Sequence, residues 1–133
     1  MAQFFKASRT NKQNNKVIKH CQIDKLDHQG RGMLFHQNKP LFVAGGLIGE
    51  VLDVSIEEDK KRYKKATILN IHKASELRIN PHCEHYQECG GCHLQHIEQN
   101  AQIEIKQQGV LSLFERFAKY KPEQLEDTLH SDA

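Results

Sequence analysis

The sequence has few large apolar side chains from which to build a core. Tryptophan is absent, and aromatic residues make up only 7% of the 133 positions. A barrel of about 60 residues buries only roughly 60% of the surface that its unfolded chain exposes, so an added source of stability such as a bound metal would be needed. The composition therefore favours one small domain with appended segments over a large core.

Long apolar segments are missing as well. The opening residues MAQFFKASRTNKQNN contain no hydrophobic stretch of the secretory kind. No apolar run approaches the roughly 18 residues of a membrane span. We therefore expect a cytoplasmic protein whose four cysteines stay reduced and whose clustered cysteines serve as metal ligands or catalytic groups rather than in disulfides.

Catalytic motifs are the third absence. The sequence contains no glycine-rich phosphate loop, no nucleophile motif and no pair of carboxylates placed for acid–base chemistry. We expect that this chain contains no catalytic residue and is inactive as an enzyme by itself.

Charge is present but unevenly distributed around a net value of +2. Residues 1–20 carry five cations and no acid, whereas residues 121–133 carry one cation and four acids. A basic start on a nearly neutral chain favours a polyanionic partner, although a solvated tail would have the same composition. We interpret residues 1–14 as a flexible basic arm.

Residues 15–74 have the pattern of short strands separated by turns. Strands are predicted within VIKHCQIDKL and at residues 33–36, 41–43, 50–57 and 62–72, with glycine-rich corners at DHQGRG and GGLIGE. Five short strands in this length predict a small OB-like β-barrel, a fold that commonly binds oligonucleotides. The expected core contribution of the last two strands comes from Val51, Val54, Ile56, Ile68, Leu69 and Ile71.

Residues 97–120 show the apolar spacing of a helix, so the expected fold is mainly β with a C-terminal helix. Gly109 lies inside this helix and allows a kink or a break. The apolar stripe is longer than the barrel can cover, which indicates a missing partner. We expect residues 121–133, which follow the helix and contain Pro122, to be the truncated start of a further domain.

Three cysteines lie in the stretch NPHCEHYQECGGCHLQH, within the predicted metal loop at residues 75–96. Five residues separate Cys83 from Cys89, and two separate Cys89 from Cys92. Zinc sites usually combine two short spacings, whereas this looser loop with its CGGC turn suits an iron–sulfur cluster. The alternative is zinc, with His93 or His96 as fourth ligand. Cys21 lies within a predicted strand, where a small apolar core residue is the expectation.

A second candidate site is the basic segment EEDKKRYKKA, predicted to form a hairpin tip. Its cations can contact phosphates, and its tyrosine ring can stack on a base, although charged hairpin turns are often merely solvated. Arg31, between two turn glycines, extends the patch. The predicted RNA-binding residues are Arg31, Lys60, Lys61, Arg62, Tyr63, Lys64 and Lys65.

These segments resemble one known family. DHQGRGM, PLFVAGGLIGE and EEDKKRYKKA are similar to the TRAM domain, an OB-like RNA-binding barrel. PHCEHYQECGGCHLQH is similar to the iron–sulfur motif of uracil-5 methyltransferases that act on ribosomal RNA. In this order, they resemble the amino-terminal part of the RlmD (RumA) type of 23S ribosomal RNA methyltransferase.

The resemblance implies a function and its cofactors. Cys83, Cys89 and Cys92 would be three of the four ligands of a 4Fe–4S cluster, with the fourth cysteine beyond the end of this chain. S-adenosylmethionine and the nucleophile would belong to a carboxy-terminal methyltransferase domain that makes 5-methyluridine in 23S ribosomal RNA. The alternative is a self-contained, zinc-stabilised RNA-binding module without enzymatic activity.

Overall fold

The structure, a computed structural model, describes residues 16–129 and 131. The predicted flexible arm at residues 1–14 lies outside the described residues. The described chain is mainly β with a C-terminal helix, which confirms the predicted fold class.

Six strands form one sheet. They are β1 (Val17–Gln22), β2 (Lys25–Leu26), β3 (Gly32–His36), β4 (Lys39–Val43), β5 (Val51–Asp59) and β6 (Lys64–Lys73). Their order in the sheet is β1-β5-β6-β4-β3-β2, with only β4 and β6 running parallel. A short helix α1 (Tyr86–Cys89) and the long helix α2 (Gln99–Leu113) follow, and α2 continues into a π-helical turn at Phe114–Ala118.

The two edge strands of this sheet, β1 and β2, are consecutive in the chain. Between β1 and β2, the Ile23 N–H donates to the Glu50 carbonyl (3.0 Å) and the Asp24 N–H donates to the Met33 carbonyl (3.1 Å). The chain thus changes partner strand within two residues, which keeps the ends of β1 and β2 within about 11 Å of each other. In the described residues β1 and β2 are not paired with one another, so the predicted five-stranded barrel is a six-stranded sheet that curls back without closing.

The core consists of two clusters. The larger lies inside the curled sheet and includes Cys21, which is 7% exposed, so the prediction of a core cysteine is confirmed. The Cys21 thiol donates to the Leu52 carbonyl (3.1 Å), and burial raises its pKa. The smaller cluster joins the β4–β5 loop to the start of α2 through Leu47, Ile97 and Ala101.

The second half of β6 is more exposed than predicted. Leu69 and Ile71 are 50% and 40% exposed, so their assignment to the core was wrong, whereas Val54 and Ile56 are buried as expected. The reason lies in the pairing, because β4 covers β6 only along Lys64, Lys65 and Ala66. Beyond that point β6 pairs with β5 alone.

Helix α2 begins at a side-chain cap, where the Glu98 carboxylate accepts from the Ala101 N–H (3.0 Å). It passes through Gly109 without a break and ends before Pro122. Apolar side chains are exposed at the end of α2, at Val110 and Leu113, and in the π-helical turn, at Phe114 and Phe117. No helix among the described residues has the length and apolar character needed to cross a membrane.

Candidate nucleic-acid interface and cysteine loop

The tip of the β5–β6 hairpin carries three cations on one tight turn. The Lys60 N–H donates to the Tyr63 carbonyl (2.9 Å) and closes the turn. Lys60, Lys61 and Arg62 are exposed, and none of them forms an ion pair with another described residue. Their charge is therefore available to an external anion.

The next two lysines have acidic partners. Lys64 is 2% exposed; its Nζ donates to Gln37 Oε1 (2.9 Å) and lies 3.6 Å from Asp59 Oδ2. Lys65 lies 3.5 Å from Glu58 and stays half exposed. Burial makes Lys64 unsuitable for direct phosphate contact, since its ammonium already has its partners inside the protein.

Three of the predicted RNA-binding residues form a continuous row with Phe42, which was not predicted. We name this row the aromatic ladder; its members are Arg31, Phe42, Tyr63 and Lys65. The Arg31 guanidinium carbon lies 4.8 Å from the Phe42 ring centroid. Phe42 meets Tyr63 edge to face at 6.3 Å, and Lys65 Nζ lies 5.8 Å from the Tyr63 ring. These are cation–π and aromatic contact distances, so the row links Arg31 to the hairpin tip.

Strand alternation places the ladder on the outer face of the sheet. Leu41 and Val43 are fully buried, so Phe42 between them points outward, opposite Met33 and Lys65 on the neighbouring strands. Arg31 is fixed at the edge of this face by Asp27, whose Oδ2 accepts from the guanidinium at 2.6 Å.

A second cation–aromatic pair lies on the same face. Phe35 is 61% exposed, and Lys25 Nζ lies 5.7 Å from its ring. Sequence reasoning missed Lys25, Phe35 and Phe42 as surface residues. The alternation of side chains along MLFH and PLFV could have identified the two phenylalanines. If Leu34, Leu41 and Val43 face the core, Phe35 and Phe42 face outward, where a strand usually has polar residues.

The cysteine loop is closed at its base by a short antiparallel contact. The Ile79 N–H donates to the His96 carbonyl and the Glu98 N–H donates to the Leu77 carbonyl, both at 2.9 Å. Arg78 and Ile97 form the bridge between these two bonds. The loop therefore leaves the barrel and returns to it at one point, directly before α2.

A buried ion pair attaches this base to the barrel. The Glu50 carboxylate is fully buried and accepts from the Arg78 guanidinium (2.6 and 2.7 Å) and from the N–H groups of Leu47 and Ser75. Burial raises the pKa of Glu50, but the hydrogen bonds and the charge of Arg78 outweigh it and hold that pKa below its ordinary value.

The three thiols lie around the CGGC turn. Cys83 is half-buried and Cys89 and Cys92 are exposed, all unpaired by disulfides. Gly90 takes a left-handed φ of 64°, and a Cβ on Gly91 would lie 3.3 Å from Cys89 Sγ. The glycines thus leave open space beside a thiol, as a bulky sulfide-bridged group requires.

A single ion would need a tighter arrangement than this loop has. Within residues 16–129 and 131 the thiols do not belong to any group of three ligand atoms that lie within 4.8 Å of one another. His96 is 3% exposed and its Nδ1 lies 2.6 Å from the Tyr86 hydroxyl, which also donates to the His93 carbonyl. Burial, together with the charge of Arg78, lowers the pKa of His96. His96 Nε2 is buried without a hydrogen-bond partner in the described chain. Neither His93 nor His96 belongs to a group of three close ligand atoms, so the spacing does not support the zinc alternative.

The comparisons with known proteins found no matching protein-family model. The chain is 61% identical over 95% of its length to a 23S rRNA (uracil(1939)-C(5))-methyltransferase RlmD of Psychromonas ingrahamii. It is 43% identical over 91% of its length to the protein of that name from Shewanella frigidimarina, and 39% identical over all of it to one from Aeromonas hydrophila. The chain spans only 27% to 30% of the length of these curated relatives.

Proposed function

We propose that this chain, a homologue of the amino-terminal part of the RlmD 23S rRNA (uracil-C5)-methyltransferases, is the RNA-binding and cluster-bearing part of such an enzyme. The target position would be the one in the relatives' names, uridine 1939. The observation that carries the proposal is the 61% identity over 95% of the chain. Such an enzyme acts where ribosomes assemble, so its location would be the cytoplasm.

RNA binding is supported by the hairpin tip and the aromatic ladder together. Three unpaired cations at the tip supply sequence-independent attraction for phosphates. Beside them, Tyr63 and Phe42 offer rings on which an unpaired base can stack, with Arg31 and Lys65 at either end. Lys64 is left out of the contacting set because it is buried.

The cysteine loop fits an iron–sulfur cluster in its donor set and in its open space beside Cys89. Cys83, Cys89 and Cys92 would hold three corners of a 4Fe–4S group, and the fourth thiolate would come from the rest of a longer protein. When bound, the group would act as a covalent cross-link between these segments. S-adenosylmethionine and the uracil-attacking nucleophile would also belong to that remainder, so we expect no methyl transfer by this chain alone.

We divide the chain into an RNA-binding barrel at residues 15–74, a cluster loop at residues 75–96 and a connecting helix at residues 97–120. Residues 121–133 would begin the next domain. The exposed apolar side chains of α2 and its π-helical turn, such as Phe114 and Phe117, fit a cover by the methyltransferase domain of the same protein.

Replacing Lys60, Lys61 and Arg62 with Ala tests the RNA interface. We expect the triple variant to bind a labelled 23S rRNA fragment more weakly, because three phosphate contacts are lost. The slope of log affinity against log salt concentration should become shallower by about 2 to 3. Fluorescence anisotropy titrations at several salt concentrations would measure both effects.

A charge-matched control separates the effect of the hairpin tip from the effect of a lower total charge. Lys73, Lys106 and Lys121 are also exposed, and their replacement by Ala removes the same charge elsewhere. This control should keep most of the affinity and the salt slope. Equal losses in both triple variants, or binding that does not respond to salt, would refute the assignment of the tip.

A further inference from the structure

Three side chains of residue types that bind metals meet on the outer face of the sheet, away from the hairpin tip and from the cysteine loop. They are His20 on β1, Asp53 on β5 and His72 on β6, three strands that are neighbours in the sheet. Their ligand atoms all lie within 4.8 Å of one another. No other group of three such side chains in the described part of the chain meets this limit.

An irregularity in β1 brings His20 to this place. The pairing runs from Ile18 opposite Val54 to Cys21 opposite Leu52, so Lys19 and His20 together face the single residue Asp53. This is a β-bulge, a device that re-aims a side chain. His20 takes a left-handed φ of 53°, a conformation that non-glycine residues adopt at a cost.

Asp53 is the centre of the group. It is 7% exposed, and its Oδ1 accepts from the His20 backbone N–H (2.9 Å) and lies 2.8 Å from His72 Nε2. These contacts fix the carboxylate on the outer face. The Asn70 side chain also hydrogen-bonds to this carboxylate, and His72 is its one ion-pair partner among the described residues.

The two imidazoles lie beside each other and can be reached from solvent. Their centroids are 4.2 Å apart with an angle of 12° between the planes, and the His72 side chain is 39% exposed. His20 bonds to Asp53 through its backbone N–H, and its ring nitrogens form no hydrogen bond with the described chain.

We propose that His20, Asp53 and His72 bind a divalent transition-metal ion, zinc in the first instance, with water completing the coordination. Two imidazole nitrogens and one carboxylate oxygen form a donor set that zinc accepts. Two atoms that each lie about 2.1 Å from one ion are at most about 4.2 Å apart, so ligand atoms that lie within 4.8 Å of one another are close to this limit. An ion lies in the plane of each imidazole that binds it, so the exposed rings swing out of their stack.

The bound ion would fasten the edge strand β1 to β5 and β6. This is the part of the sheet where β1 has no neighbour on its outer side and β6 has lost the cover of β4. The site is chemically distinct from the cysteine loop, because nitrogen and oxygen donors select harder ions than three thiolates do. The inference does not rest on the RNA-binding function.

Zinc titration of a chain with Cys83, Cys89 and Cys92 replaced by Ser tests this site without the thiols. Isothermal titration calorimetry should give one zinc per chain, and thermal unfolding followed by circular dichroism should show an increase in the unfolding temperature. Replacing His72 with Ala in this background should weaken zinc binding at least tenfold. His82→Ala is the matched control, since His82 is exposed in the loop, and it should leave the affinity unchanged.

Two results would overturn the site: no zinc binding by the triple serine chain, or equal affinity with and without His72→Ala. If the serine chain does not fold, the unmodified chain gives an independent measurement. Zinc should then shift the ring NMR signals of His20 and His72, and signals that stay unchanged at saturating zinc would refute the proposal equally.

Discussion

Glu50 shows how one buried residue can connect three segments. Its carboxylate is fully buried, which by itself disfavours the charge. Arg78 and the N–H groups of Leu47 and Ser75 compensate by occupying both oxygens. The β4–β5 loop, the end of the barrel and the base of the cysteine loop therefore share one hydrogen-bonding centre.

Replacing Glu50 with Gln should destabilise the chain at neutral pH by about 3 kcal/mol, because it leaves the Arg78 charge without its partner. The pKa of Glu50 in the folded state lies below its ordinary value, so its carboxylate contributes stability above the unfolded-state pKa. That contribution disappears as the pH falls through the folded-state pKa. Urea unfolding as a function of pH should show a steeper acid loss in the unchanged chain than in Glu50→Gln.

The control for this measurement is Glu57→Gln, since Glu57 is exposed on β5, the strand that begins directly after Glu50. It should keep both the stability at neutral pH and the acid loss of the unchanged chain. If Glu57→Gln and Glu50→Gln behave alike, the pH dependence comes from the total charge rather than from the buried pair.

Individual cations could be located from the sequence only in part. The run of basic residues marked the hairpin tip, and Lys60, Lys61 and Arg62 are indeed exposed there. The burial of Lys64 depends on Gln37, which is 27 positions away, and on its place in β6, where Lys64 and Ala66 both face inward. A local charge run carries no information about such a distant partner, so the residue was placed in the RNA-binding set.

At the scale of elements, the DHQGRG turn is a second place, besides Glu50 and Arg78, where the sheet domain touches the cysteine loop. Gly30 is buried with a left-handed φ of 77°, and a Cβ added there would lie 2.6 Å from Leu94 Cδ2. A groove of about 470 Å³ opens beside this contact, between the turn, the residues after Cys92 and α2. Position 30 thus requires glycine for two reasons: its left-handed backbone conformation and the close contact with Leu94.

Gly30→Ala should destabilise the chain by about 1 to 3 kcal/mol, because it combines backbone strain with overpacking against Leu94. Gly109→Ala is the matched control: its Cβ would lie 3.8 Å from the nearest atom, and alanine favours the helix by about 1 kcal/mol. Thermal unfolding followed by circular dichroism should therefore move the two variants in opposite directions. A destabilised Gly109→Ala, or an unchanged Gly30→Ala, would contradict this account.

Elements with strong local periodicity were predicted well, and those set by distant partners were not. The pairs β3–β4 and β5–β6 follow from alternation and turn residues, and α2 follows from its apolar spacing. The split of VIKHCQIDKL into β1 and β2 depends on Glu50 and Met33, whose carbonyls accept from Ile23 and Asp24. The bulge at His20 likewise appears only once β5 lies opposite it.

For the whole molecule, the proposed cluster in the cysteine loop and the exposed apolar side chains at the end of α2 would both need additional chain. Three thiols would leave a four-iron cluster one ligand short, and the apolar side chains at Val110, Phe114 and Phe117 are exposed in the described chain. The relatives are more than three times as long as this chain, which spans about 28% of one of them. A chain of the relatives' length would supply both the fourth ligand and the cover.

The amounts of iron and acid-labile sulfide bound per protein molecule should therefore depend on chain length. Purified without oxygen, the longer protein should be brown and hold about four irons, whereas the 133-residue chain should hold less and lose it in air. Cys89→Ser should abolish the cluster in the longer protein, because it removes a ligand beside the Gly91 opening. Cys21→Ala should keep the iron, since the Cys21 thiol is buried in the barrel core. If the longer protein instead holds zinc and no sulfide, the cluster assignment is wrong and the alternative of a zinc-stabilised RNA-binding module is supported.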